Sequence, residues 1–182
     1  MTDAQHSVAA ATWAICKDVA KNIWIAKEPS LDYARAAACL LFGTAAQESD
    51  SFRARRQYGF DYNSDGGAFS LWQMERAAIE NGLKQIKQSE CLEDKVAAMI
   101  LWGVTTTFEQ AKLAIQRSEG DLFACILARL YYLRCPGAIP ATIDGQGAYW
   151  KRYYNTVAGA GTVEQYIHHW NHCCADIVRD NP

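Results

Sequence analysis

The chain has 182 residues, half of them hydrophobic, and a formal charge of −2 at pH 7, which suits one domain (1–182) with a core of ordinary size. Without a concentrated basic face it is not expected to bind nucleic acid, which requires many phosphates to be neutralised. No apolar run reaches the length of a membrane span, and MTDAQHSVAAATWAICKD lacks the basic and apolar regions of an export signal. Helical periodicity dominates the chain. Val8, Ile15, Val19 and Ile23 predict a first helix, ended by Pro29, and Ser30 caps a second through DYARAAACLLFGTAAQES. A glycine-bearing stretch over 51–67 leaves room for one small hairpin between Arg56 and Ala68, with a short helix beginning near Leu71. Leu92, Val96, Ile100, Val104, Phe108, Ala111 and Ile115 predict one long helix, weakened in the middle by Gly103 and the run Thr105–Thr107. Leu122, Ile126, Leu130 and Leu133 mark another, closed by Cys135-Pro136-Gly137. After a loop from Pro140 to Gly147 comes an aromatic helix, AYWKRYYN. A last helix opens on the capping-box pattern Thr162-Val163-Glu164-Gln165 and buries Val163, Ile167, Trp170 and Ile177. The expected fold is all-α, mainly helical, with a small β-hairpin allowed.

Seven cysteines, an odd number at irregular spacing with no C-x-x-C pair, do not read as a disulfide framework. Cys39 in AAACLLF and Cys125 in LFACILARL sit at helical spacing among apolar residues, as reduced core thiols do.

The residue that points to chemistry is Glu48. Leu41, Ala45 and Glu48 fall at i, i+4 and i+7, so the glutamate ends an apolar stripe at a helix C-terminus. Burial and the negative end of the helix both disfavour its ionised form, and a carboxylic acid so placed can donate a proton near neutral pH. The plainer reading of a helix-end glutamate is a side chain pointing into water.

After Glu48-Ser49 and a loop comes Gly66-Gly67-Ala68-Phe69-Ser70-Leu71-Trp72-Gln73, and much later Tyr153-Tyr154-Asn155-Thr156-Val157-Ala158-Gly159-Ala160-Gly161. In order and spacing these segments resemble the Glu-Ser, Gly-Ala-x-Gly-Leu-Met-Gln and Tyr-Asn-Ala-Gly motifs of the lysozyme-like superfamily, in its lytic transglycosylases and goose-type lysozymes. The resemblance implies a lysozyme-like domain that cuts the β-1,4 bond between N-acetylmuramic acid and N-acetylglucosamine in bacterial peptidoglycan, without metal or cofactor. It makes 31–75 the catalytic helix and cleft loop, and 145–178 the Tyr-Asn motif and C-terminal helix. Glu48 becomes the acid and then the base, with Tyr154 over it. Ser49, Gly67, Ala68, Trp72, Gln73 and Asn155 become substrate contacts, and Gly66 with Gly67 lets backbone approach the sugar. The chain departs from the pattern at Ser70 and Trp72, where glycine and methionine are usual, and at Thr156-Val157, which separates Tyr-Asn from Ala-Gly.

Transglycosylases of this kind use one glutamate, giving a 1,6-anhydro end, whereas hydrolysis needs a positioned water and usually a second carboxylate. Asp65 is the first candidate for that helper, ahead of Asp61 and Asp50; Asn63-Ser64-Asp65-Gly66 is also turn chemistry. Tyr149-Trp150-Lys151-Arg152-Tyr153-Tyr154-Asn155-Thr156 also resembles small tailed-phage proteins. That likeness implies a protein made in the cytoplasm, then carried on the virion or released to the host wall, with other virion proteins as possible partners. The alternatives are a virion structural or accessory protein that keeps the fold with little activity, and a non-catalytic glycan-binding module.

Three further groups have two readings each. His168 with His172 and His169 with Cys173 are i, i+4 pairs of metal-clasping form, but no third ligand lies at a familiar spacing, so no metal is expected. Arg53, Arg55 and Arg56 either meet substrate carboxylates or form a solvated loop face. Trp72, Trp150, Tyr153 and Tyr154 fall in or beside the motifs, where they suit sugar stacking. Trp13, Trp24, Trp102 and Trp170 suit the core.

Overall fold

Side-chain caps decide where most of the elements begin. The computed structural model describes residues 1–24, 28–61, 63–100, 107–156 and 159–182. Helix α1 (Asp3–Asn22) opens on a reciprocal box: the Thr2 hydroxyl accepts from the Gln5 backbone N–H, and the Gln5 side chain accepts from that of Thr2. Helix α2 (Leu31–Glu48) starts where the Ser30 hydroxyl accepts from the Tyr33 N–H. Two short antiparallel strands, β1 (Ala68–Phe69) and β2 (Met74–Glu75), pair Ala68 with Glu75 and Phe69 with Met74. Helices α3 (Arg76–Lys87), α4 (Glu90–Met99), α5 (Phe108–Ile115) and α6 (Asp121–Tyr132) follow. Helix α7 (Ile143–Trp150) runs on through a π-helical turn at Lys151–Asn155. Helix α8 (Val163–His169) carries the Thr162–Gln165 capping box and passes through a second π turn, Trp170–Cys174, into α9 (Ala175–Asp180).

Helix α2 is the axis of the molecule. Every residue from Ala36 to Ala46 is buried, so the helix is apolar all round, with α1, α6, α7 and α8 packed about it. Its core includes Phe42, which meets the rings of Trp13, Phe52 and Trp170. The glutamate that ends this helix is half-buried and lines a cleft.

The all-α character with a small hairpin is as expected, but several boundaries differ. The predicted long helix over 92–115 is two: Ile100 is extended at the end of α4, and Thr107 is extended and caps α5 through the Gln110 N–H. Val104, Gly103 and Trp102 lie outside the described residues. The helix expected near Leu71 begins at Arg76, because residues 70–73 form the turn that joins β1 to β2. The hairpin accordingly lies after Ala68 rather than before it, and Arg56 adds one isolated bridge to Phe69. Helix α1 ends at Asn22, well short of Pro29, and α7 starts inside the predicted loop, where the Thr142 hydroxyl caps Gly145. Val163 and Ile167 are only half-buried, while Trp170 and Ile177 are core. Cys16, Cys39, Cys125, Cys173 and Cys174 are buried thiols, but Cys91 is exposed. Trp24 is half-buried beneath the Lys95 ammonium rather than in the core. Among the described residues no helix is long and apolar enough to cross a membrane.

Candidate active site

A cleft of about 670 Å³ opens beside the end of α2. Glu48 is on its lining, together with Tyr154 and Asn155 of the π turn after α7, residues of the 54–58 loop and of α3, and Tyr131 and Arg134 at and beyond the end of α6.

Two features set the state of Glu48. Burial pushes its carboxyl up to about 7, against a donor that favours the ionised form, the Trp150 indole N–H at 2.8 Å from Oε1. The Tyr154 hydroxyl donates to the Trp72 carbonyl oxygen at 2.6 Å; burial and the nearby Glu48 charge hold that phenol far above its ordinary range. Tyr154 is thus a neutral hydroxyl beside the carboxyl. The π turn follows directly on Trp150, and Trp150 and Tyr154, four residues apart, both reach the end of α2. The Trp150 ring stacks on Tyr166 at 5.4 Å, and a Cβ on Gly161 would stand 2.6 Å from its edge. That glycine of the Tyr-Asn segment therefore makes room for the ring that bonds the acid.

The other sequence-predicted residues divide. Ala68, Gln73 and Asn155 line the cleft with Glu48 and Tyr154. Gln73 is held at φ +45°, its amide nitrogen donating to the carbonyls of Ser70 and Ala54, and Asn155 Oδ1 accepts from Lys151 Nζ at 2.8 Å. Ser49, Gly67, Trp72 and Asp65 are not among the described lining residues.

The roles expected of these four need correction. Ser49 is fully buried; its hydroxyl donates to the Ala45 carbonyl and accepts from the Phe52 N–H at 2.8 Å. It fastens a turn in which Asp50, Ser51 and Phe52 all have positive φ, a conformation that costs non-glycine residues about 1–2 kcal/mol each. Trp72 is fully buried and donates to the Leu41 carbonyl at 2.9 Å, so it packs the hairpin onto α2 instead of stacking on sugar. Gly67 has φ +75°, and a Cβ there would stand 2.6 Å from the Phe60 ring, so glycine is required by the loop itself. Asp65 pairs with Lys112 at 2.5 Å and Arg76 at 3.6 Å, which hold its carboxyl below the usual range. It fastens the loop to α5 and α3.

The arginine cluster is also structural in large part. Arg55 makes a two-pronged pair with the mostly buried Asp121, and Arg53 meets Asp50 at 3.3 Å. Arg56 lines the cleft, but its guanidinium donates to the carbonyls of Asp61, Ser64, Gly66 and Ala68 while lying 4.1 Å over the Phe69 ring. Tyr149 and Trp150 are buried, whereas Tyr58, 71% exposed, lines the cleft.

Sequence reasoning missed Tyr58, Glu75 and Arg134. Glu75 is the second carboxylate among the described lining residues. It occupies the N-cap position of α3 yet makes no side-chain capping bond. The only signal in the sequence was its place two residues after Gln73.

At the C-terminal helix, His168 and His172 have ring centroids 4.0 Å apart, and His172 Nδ1 meets the His168 carbonyl at 2.9 Å. His169 Nδ1 meets Gln47 Oε1 at 2.8 Å. Among the described residues no three His, Cys, Asp or Glu side chains gather as a metal site. Comparison of the chain with family models, with curated proteins and with solved structures finds no match in any of the three.

Proposed function

We propose that the protein cleaves the β-1,4 bond between N-acetylmuramic acid and N-acetylglucosamine in peptidoglycan, with Glu48 as general acid. The observation that carries this reading is a carboxyl raised to about 7 on the lining of an open cleft, bonded to an indole N–H and close enough to a neutral phenol for its charge to be felt there. A carboxyl in that state is half protonated at neutral pH and can deliver a proton to a glycosidic oxygen. Hydroxyl and amide groups of Tyr154, Asn155, Gln73 and Asn81 suit a polyhydroxylated chain, and Tyr58 offers a face to a sugar ring. After the leaving group departs, the Glu48 carboxylate takes a proton from the attacking oxygen. That oxygen is the sugar's own 6-hydroxyl in a transglycosylase or a water in a hydrolase. Glu75, the other carboxylate on the described cleft lining, replaces Asp65 as the group to assist a water. The sequence likeness to tailed-phage proteins gives the context we infer, an enzyme carried to the host wall by the particle or released at lysis.

Retention on insoluble peptidoglycan, measured beside the fall in turbidity of a sacculus suspension, tests the reading. Wild type should clear the suspension, and Glu48→Gln should be retained without clearing it. Retention without clearing by wild type would make the protein a glycan-binding module; neither retention nor clearing would leave a structural protein of the particle.

A further inference from the structure

Of the cations on the cleft lining, Arg134 alone has no acidic or carbonyl partner among the described residues. Arg56 is engaged by four loop carbonyls. Arg134 lies two residues past the end of α6, is exposed, and sits 5.2 Å over the Tyr131 ring. That ring is itself fixed: its hydroxyl donates to the Tyr153 carbonyl at 2.6 Å, and its edge meets Tyr154 at 5.1 Å. The guanidinium therefore rests on a held ring that also meets Tyr154, and Glu48 lines the same cleft.

We propose that Arg134 on its Tyr131 platform is a carboxylate-binding subsite, which reads the acidic substituent borne by the sugar next to the bond being cut. The proposal rests on the glycan-cleaving function proposed for the cleft. A guanidinium held over a ring, with no acidic or carbonyl partner among the described residues, has its planar N–H fork available to one bidentate acceptor, the geometry a carboxylate supplies. The cleft also carries Glu75 and Glu48, so it disfavours a polyanion and accepts a single negative group. Muramic acid offers that group in two places: the lactyl ether on the sugar, when its peptide has been removed, and the carboxylates of an attached stem peptide. The lactyl carboxylate lies within a few bonds of the scissile linkage and the stem carboxylates farther out along the peptide, and Arg134 lines the same cleft as Glu48.

The test is binding, measured in a Glu48→Gln background so that turnover does not consume the ligand. Three soluble ligands are compared: glycan strands with intact stem peptides, strands stripped of peptide, and neutral chito-oligosaccharides. Arg134→Gln should weaken binding of acidic strands about tenfold, the effect of losing one charge-assisted pair, and leave chito-oligosaccharide binding unchanged. Arg134→Lys should recover only part of the loss, and the salt dependence seen with the arginine should flatten in Arg134→Gln. Loss confined to peptide-bearing strands assigns the carboxylate to the stem, loss confined to stripped strands assigns it to the lactyl group, and loss on both means that the subsite takes either. Equal binding of acidic and neutral strands with Arg134 in place, or an equal loss on all three, overturns the subsite while leaving the cleavage reading intact. No binding to any of the three overturns both.

Discussion

At pH 8 the folded wild-type protein holds an ionised carboxylate in the interior, where Glu48→Gln would place a neutral amide still able to accept from Trp150. The Glu48 carboxyl lies at about 7 when folded, against 4.5 for a glutamate in water. Its neutral form is therefore the one the fold tolerates. Its burial costs nothing below pH 4.5, and the cost grows as pH rises from there through 7. The full difference is about 3 kcal/mol. Glu48→Gln should accordingly match wild type in Tm near pH 4 and exceed it by about 5–10 °C at pH 8, as followed by thermal denaturation. An equal Tm at pH 8 would mean that the carboxyl is solvated. The same proton governs activity, which should fall as pH rises through about 7. Removing the indole donor with Trp150→Phe takes away the bond that favours the ionised form, so the alkaline limb of kcat/KM should move upward. Asp65→Asn removes a loop pair that lies off the described cleft lining, and kcat/KM should stay within about twofold of wild type.

Among the elements, the turn after α2 separates a structural serine from a substrate-binding one. Ser49→Ala leaves the buried Phe52 N–H without its acceptor in a segment already held at positive φ, and should lower stability by about 1–3 kcal/mol. KM of the folded fraction should not move; a raised KM with unchanged stability would return Ser49 to the substrate. Elements opened by a side-chain cap are legible in the sequence: Ser30 for α2 and Thr162–Gln165 for α8 start where their chemistry says. The stretch 92–115 misleads because apolar period carries straight across Ile100 and Phe108, while the extended backbone at Ile100 and the cap by Thr107 interrupt the helix without disturbing the period. Leu71 misleads for a related reason: Leu71 and Trp72 are apolar because they pack a hairpin turn against α2, not because they begin a helix.

At the scale of the whole molecule, the parts of the site that can be read in one dimension are those set by a single element. Glu48 is legible because its position depends on α2 alone, a helix that is apolar all round and must end inside. Trp150 and Tyr154 lie in a recognisable segment, but the bonds that carry the Trp150 indole to Glu48 and the Tyr154 hydroxyl to the Trp72 carbonyl depend on the π turn after α7. Asp65 points to the cleft by its place in the chain; Lys112 from α5 and Arg76 from α3 hold it elsewhere. Glu75 and Arg134 reach the cleft from β2 and from the end of α6, and no local pattern joins those two places. The most direct measurement is mass spectrometry of the soluble products after purified peptidoglycan is incubated with wild type and with Glu48→Gln. Muropeptides with 1,6-anhydro or reducing muramic ends from wild type, and none from Glu48→Gln, are the predicted result, and the kind of end distinguishes transglycosylase from hydrolase. New products from both proteins, or from neither while wild type is folded, would contradict Glu48 as the acid of a glycan-cleaving enzyme.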